Sequence, residues 1–144
     1  MFLHFDNGAS GVLVCTQVAA GEENRLFIRV YGEKGGLEWA QEEPNTLTLK
    51  WLDKPKEVYR TGMPYVSAAA SSNTRTPSGH PEGYLEAFAN LYVAFCKAVR
   101  DYKPGKKIDS RKYDFPDVED GVKGMQFIEA VVKSSTSKQK WIKI

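Results

Sequence analysis

The apolar residues of this chain change period part-way along it, and that change limits the folds open to it. Over residues 1–59 they alternate, as half-buried strands do. "FLHF" meets "DNGAS", a hairpin turn signal because Asn and Gly tolerate positive φ. In "GVLVCTQVAA", Val12, Val14, Thr16 and Val18 share one face, and Leu13, Cys15, Gln17 and Ala19 the other. After "GEEN", "RLFIRVYG" sets Leu26, Ile28 and Val30 against Phe27, Arg29 and Tyr31. "GEKGG" turns the chain into "LEWA" and "NTLTLKWL", and "KEVYR" adds a short strand. Short links between successive strands imply an antiparallel meander. Several strands carry apolar residues on both faces, so one face should meet helices and the other a further chain or domain.

Beyond residue 80 the period is helical. Tyr84, Phe88, Leu91, Tyr92, Phe95, Val99 and Tyr102 form one stripe on a helix expected over 81–103. Pro81 suits its first turn, where a missing N–H costs nothing, and Pro104-Gly105 stops it. A second helix is expected over 117–135, with Asp117 as N-cap, Asp120 three residues on, and Val118, Val122, Met125, Ile128 and Val132 as the buried stripe. "KWIKI" reads as a last strand closing back onto the sheet. The order of strands, loop, two helices and strand predicts one α+β domain over 1–144, a mainly antiparallel open sheet with two long helices packed on one face.

Between the two regimes lies "RTGMPYVSAAASSNTRTPSGH", residues 60–80, aperiodic and rich in small and turn-forming residues. An unstructured loop of this length is uncommon in a compact domain and is either functional or disordered. It ends on His80, one of only 2 histidines. An imidazole at a loop–helix junction can move protons near neutral pH. It can equally cap the helix or pack locally, since no nucleophile or base partner stands nearby. Glu82, in the expected first turn, is favoured by the helix dipole whatever the function.

Other chemistries find little footing. The formal net charge of +2 implies no polyanionic partner. The basic set Lys103, Lys106, Lys107, Arg111 and Lys112 reads as a solvated connection, not a nucleic-acid surface. "GEKGG" joins two strands, whereas a phosphate loop joins a strand to a helix. His4 and His80 with no clustered cysteines assemble no zinc set. Cys15 and Cys96 lie in apolar segments and read as buried thiols of a reduced, cytoplasmic protein, with a disulfide between them as the alternative. No apolar run approaches a membrane span, and no signal-peptide pattern opens the chain.

Three stretches together carry a resemblance: "ASGVLVCTQVAAGEENRLFIRVYGEKGGLEW", "GHPEGYLEAFANLY" and "YDFPDVEDGVKGMQFIEAVVKSS". The pattern resembles the C-terminal domain of the Gfo/Idh/MocA oxidoreductases, the glucose–fructose oxidoreductase and inositol dehydrogenase superfamily, over nearly the whole chain. The resemblance implies an NAD- or NADP-binding Rossmann domain that this chain does not contain, together with its Glu-Lys-Pro lysine; Lys34 of "GEKGG" does not match that motif. It implies a fragment, inactive alone, of an enzyme acting on a sugar or polyol. The open sheet face would make a homo-oligomer, and no catalytic residue or bound cofactor belongs to this chain. Residues 60–80 and the "GHPEG" helix start would border the substrate pocket. Arg75 and His80 would bond substrate hydroxyls, and Tyr84 would touch the pocket or pack. The alternative is a stand-alone α+β module that binds a ligand or protein and catalyses nothing.

Overall fold

The computed structural model describes residues 1–106 and 108–144, and Ser110 by its backbone. Of the basic set, Lys107 lies outside the described residues; Lys103, Lys106, Arg111 and Lys112 are exposed, as a solvated connection requires. The chain divides into two compact units, residues 1–21 with 115–144, and residues 22–114.

The larger unit holds four antiparallel strands in sequential order: β3 (Phe27–Tyr31), β4 (Gly35–Ala40), β5 (Thr46–Trp51) and β6 (Glu57–Arg60). The register pairs Arg29 with Glu38, Glu38 with Thr48, and Thr48 with Val58. Alternation then places Ile28, Val30, Leu37, Trp39, Leu47, Leu49, Trp51 and Tyr59 on one face. The other face is mixed, and there Glu38 accepts bonds from Lys50 and from Arg29 at 3.2 Å. "GEKGG" is the β3–β4 hairpin turn, closed by Gly32 N–H donating to the Gly35 carbonyl at 2.8 Å. Along the apolar face Val30, Leu37, Leu49 and Trp51 line an open cavity of about 460 Å³, together with Glu33 and Lys34 of the turn.

The smaller unit contains the hairpin β1 (Phe2–His4) and β2 (Ser10–Val12), turned at Gly8 with φ 86°. The meander is therefore not continuous: "GVLVCTQVAA" is a strand only to Val12. A strand needs a partner backbone for its N–H and C=O groups, and β1 offers three residues of ladder. Val14 and Val18 are consequently exposed. The expected last strand also does not form. Lys140 Nζ instead donates to the carbonyls of Ser134 and Ser135 at 3.2 Å, placing a cation at a helix C-terminus. Trp141 packs on His4, ring centroids 4.3 Å apart.

Of the helices, α1 (Ala68–Ser72) lies in the segment read as aperiodic, α2 spans Tyr84–Asp101 and α3 spans Val118–Thr136. The N-terminus of α3 is built as the sequence implies. Asp117 Oδ1 accepts from Glu119 N at 2.9 Å and Asp120 N at 3.2 Å, while Asp120 Oδ2 accepts from Asp117 N at 3.0 Å. For α2 the expectation needs moving: Gly83 is the N-cap, so Pro81 precedes the helix. The apolar stripes are the larger correction. On α2 the predicted residues are between 39% and 70% exposed, and the covered face is the small one, Ala89, Asn90, Ala94 and Ala98. Likewise α3 half-buries Phe127, Ala130, Val131 and Ser134 while Val118, Val122, Met125, Ile128 and Val132 stay exposed. Both cysteines are free and exposed, Cys96 because it stands across the helix from Ala94 and Ala98.

Replacing Asp117 by Ala should cost about 1 kcal/mol of stability, and Asp117→Asn only a few tenths. Urea unfolding of the intact protein measures both; equal losses would show that the capping bonds do not govern this helix end.

Candidate functional site

Residues 60–86 form a hydrogen-bonded junction, and the disordered reading of this loop falls away. Ser67 Oγ caps α1 by accepting from Ala70 N at 3.2 Å. Beyond Asn73, the C-cap of α1, Thr74 Oγ1 donates to the Ala70 carbonyl at 2.9 Å. Asn90 Nδ2 on α2 reaches the Asn73 carbonyl at 2.8 Å. The small residues of α2 are covered because this face, at Glu86 and Asn90, carries the bonds to the 60–80 segment. At the start of the segment, the Tyr59 and Tyr65 rings meet edge to face at 5.2 Å, and Tyr65 Oη accepts from Arg60 N at 3.3 Å.

Two residues not singled out for it in sequence hold the junction together. Asn45, in the β4–β5 connection, donates from Nδ2 to the Glu82 carbonyl at 2.7 Å and accepts on Oδ1 from Glu82 N at 3.2 Å. The same Oδ1 accepts from Thr61 Oγ1 at 3.0 Å, and the Asn45 carbonyl accepts from Thr61 N at 3.1 Å. One asparagine thus ties the sheet to both ends of the 60–82 segment. Glu82 Oε1 then accepts the backbone amides of both Arg75 and Thr76. Burial raises the Glu82 pKa, but the Thr76 and Arg75 bonds outweigh it and the carboxyl sits below its ordinary value. Glu82 therefore does more than complement a helix dipole: it precedes the N-cap and closes the loop 75–82 on itself. The helix start is met by Glu86, whose Oε2 accepts from Gly83 N at 2.9 Å, a bond that lowers its pKa.

The three residues expected at a pocket fall at different places on this frame. His80 is exposed at the loop tip; its amide donates to the Pro77 carbonyl at 3.1 Å, and its carbonyl accepts from Thr76 Oγ1 at 2.8 Å. The backbone is therefore held on both sides while the imidazole makes one long contact, Nδ1 to the Ser78 carbonyl at 3.4 Å. Arg75 is used internally, its Nη1 donating to the Glu86 carbonyl at 2.9 Å. Tyr84 opens α2, 70% exposed, its ring 4.7 Å from that of Phe88. Among the described residues no hydrogen bond or ring contact joins these three side chains to one another. The sequence signals that could have found Asn45 and Glu82 are slight: an Asn after Pro in a turn, and a Glu just before a glycine cap.

Opposite this loop, Gly62 has φ 75°, and a Cβ there would lie 2.7 Å from Ser78 N. Both facts require glycine, because the left-handed region and the close backbone approach each exclude a side chain. No described group of three or more His, Cys, Asp or Glu could hold a metal ion. Nor do these residues fit a nicotinamide dinucleotide. Every described strand pair is antiparallel, and the glycine-rich turn closes a hairpin, so no strand–turn–helix cradle for a pyrophosphate is formed. No described helix is long and apolar enough to cross a membrane.

Two outcomes test this geometry. Gly62→Ala should lose about 1–2 kcal/mol or more. Gly79→Ala should lose less, since Gly79 shares the positive φ of 83° but has nothing within 4 Å of its Cβ position. Because the Glu82 pKa is depressed, its contribution is present above the unfolded glutamate value and disappears as pH falls through the folded one. The amide proton shifts of Arg75 and Thr76 should titrate together, with a midpoint below that of an ordinary glutamate; a midpoint at or above it contradicts the assigned bonds.

Comparison with known proteins agrees with the geometry. The family model for the oxidoreductase family, C-terminal alpha/beta domain, matches residues 1–144. An uncharacterized oxidoreductase of Bacillus subtilis (strain 168), YfiI, is 30% identical over 142 residues, covering 99% of this chain and 36% of its own length. The structure of an oxidoreductase from Sinorhizobium meliloti superposes with a TM-score of 0.82 at 44% identity, covering 94% of this chain and 37% of that one. An inositol dehydrogenase homolog from Azotobacter vinelandii, complexed with NADH and myo-inositol, gives a TM-score of 0.82 at 34% identity, over 89% and 34% of the two chains. This chain thus spans about a third of the length of these relatives. It belongs to the Gfo/Idh/MocA oxidoreductase family, as that family's C-terminal α/β domain.

Proposed function

We propose that this chain is the substrate-binding and oligomerisation domain of a cytoplasmic, NAD(P)-dependent oxidoreductase acting on a sugar, polyol or related carbohydrate. The observation that carries the reading is the likeness, over most of this chain, to an inositol dehydrogenase homolog complexed with NADH and myo-inositol. A second structure of such a homolog is complexed with NAD⁺, which supports NAD as a cofactor of the intact enzyme. The nicotinamide is supplied by an N-terminal Rossmann domain, since the residues here do not fit it. That domain also supplies most of the acid–base chemistry.

The junction suits the role given to this domain. A polyol is recognised by donors and acceptors at fixed positions on a rigid frame. The Asn45 and Glu82 bonds make such a frame, and His80 presents a ring nitrogen that can donate or accept. Arg75 reaches substrate only if its bond to the Glu86 carbonyl is exchanged, and Tyr84 offers an exposed ring and hydroxyl. Exposed apolar rows on the sheet and helices fit a domain that is covered by other parts of an oligomeric enzyme.

The coding sequence upstream of Met1 should contain, in frame, a Gly-rich strand–turn–helix followed by Glu-Lys-Pro; unrelated coding sequence there would sink the fragment reading. In the full-length enzyme His80→Ala should raise the polyol KM about two- to tenfold, as the loss of one hydrogen bond does, with the NAD KM unchanged. Unchanged polyol kinetics would remove His80 from the pocket.

A further inference from the structure

The bonds around His80 form a closed circuit. From His80 the chain runs two residues to Glu82, whose peptide Asn45 grips through both its N–H and its C=O. The Glu82 carboxylate reaches back across the loop to the amides of Arg75 and Thr76. Thr76 Oγ1 returns to the His80 carbonyl at 2.8 Å. Across the loop, Gly62 stands so close to the Ser78 backbone that it admits no side chain. The backbone of His80 is thereby fixed from the sheet, while its imidazole keeps one weak contact inside the loop. A residue fixed in backbone with a lightly engaged side chain is arranged to present that side chain outward.

We infer that Glu82 is a positioning residue: its carboxylate, anchored by Asn45, sets the place of the His80 imidazole relative to the polyol. This rests on the reading that His80 contacts substrate. Glu82 is assigned no substrate contact of its own, since Oε1 is committed to two backbone amides and its main-chain N–H and C=O to Asn45. Glu82→Gln keeps the shape and removes the charge that holds those amides. Thr76→Val removes the hydroxyl that closes the circuit at the His80 carbonyl and also bonds the Glu82 carboxylate, while keeping the carboxylate's charge and the Thr76 amide.

Both variants are made in the full-length enzyme, alone and with His80→Ala, and assayed with NAD and myo-inositol. Glu82→Gln should raise the polyol KM about threefold or more, leave the NAD KM unchanged, and add no further rise in the His80→Ala background. Thr76→Val should do the same to a smaller extent. Amide hydrogen exchange at Arg75 and Thr76 should quicken in Glu82→Gln and not in His80→Ala. A full additional rise in the double variant would overturn the inference, because Glu82 would then act other than through His80. Faster exchange with unchanged polyol KM would also overturn it, since the latch would exist without positioning anything. If His80→Ala itself is silent while exchange still quickens in Glu82→Gln, the substrate reading of His80 is what has failed, and the inference falls with it.

Discussion

Glu82 gathers two backbone amides onto one carboxylate oxygen, and Asn45 holds the peptide of Glu82 from the sheet. Amides in a turn have no ladder to satisfy them, and leaving them unpaired away from water costs free energy. An ionised carboxylate is the strongest acceptor a side chain can offer, and here it converts a run of small and turn-forming residues into one defined loop. The same short segment holds His80, the approach of Gly62 to Ser78 and the Gly83 cap of α2. The Asn45 amide thus ties the β4–β5 connection to the Glu82 main chain, and the Glu82 carboxylate ties that point to the loop before it.

The exposed surface points the same way as the length comparison. The chain exposes 12353 Å², whereas two separately compact bodies of these sizes would expose on the order of 9,000 Å². Only Ala98 is buried among the described hydrophobic residues. Ile28, Val30 and Leu37 on the sheet, the aromatic stripe of α2 and the aliphatic stripe of α3 supply much of the excess. Apolar rows of this extent are seldom left in water, which is consistent with the proposed covering by other parts of an oligomeric enzyme. The relatives it matches are roughly three times as long.

Period and turn chemistry made much of the fold legible. The four strands β3–β6, both long helices and the Asp117 cap follow from alternation, helical spacing and a capping-box pattern that act locally. Where the readings failed, the deciding information was not local. "GVLVCTQVAA" alternates well but finds three residues of partner, and "KWIKI" is drawn off by Lys140 and Trp141. Helical spacing identified the apolar stripes of α2 and α3 correctly as apolar, but spacing says nothing of what is available to cover them. The small face of α2 is covered instead because Glu86 and Asn90 bond to the loop beside it. The candidate site was legible as a place, since the loop and the "GHPEG" start stood out. Its construction was not: Asn45 and Glu82 meet 37 residues apart, and the Asn45 side chain binds main-chain atoms of Glu82 that every residue carries.

Hydrogen–deuterium exchange of the full-length enzyme with NAD, with and without myo-inositol, tests whether this junction borders the substrate. Polyol binding should add protection in the segment 75–86, around the Glu82 latch and the start of α2, with little change over the strands 27–51. Protection gained elsewhere with 75–86 unaltered would show that the junction lies away from the substrate, and would contradict the role assigned to His80 and its latch.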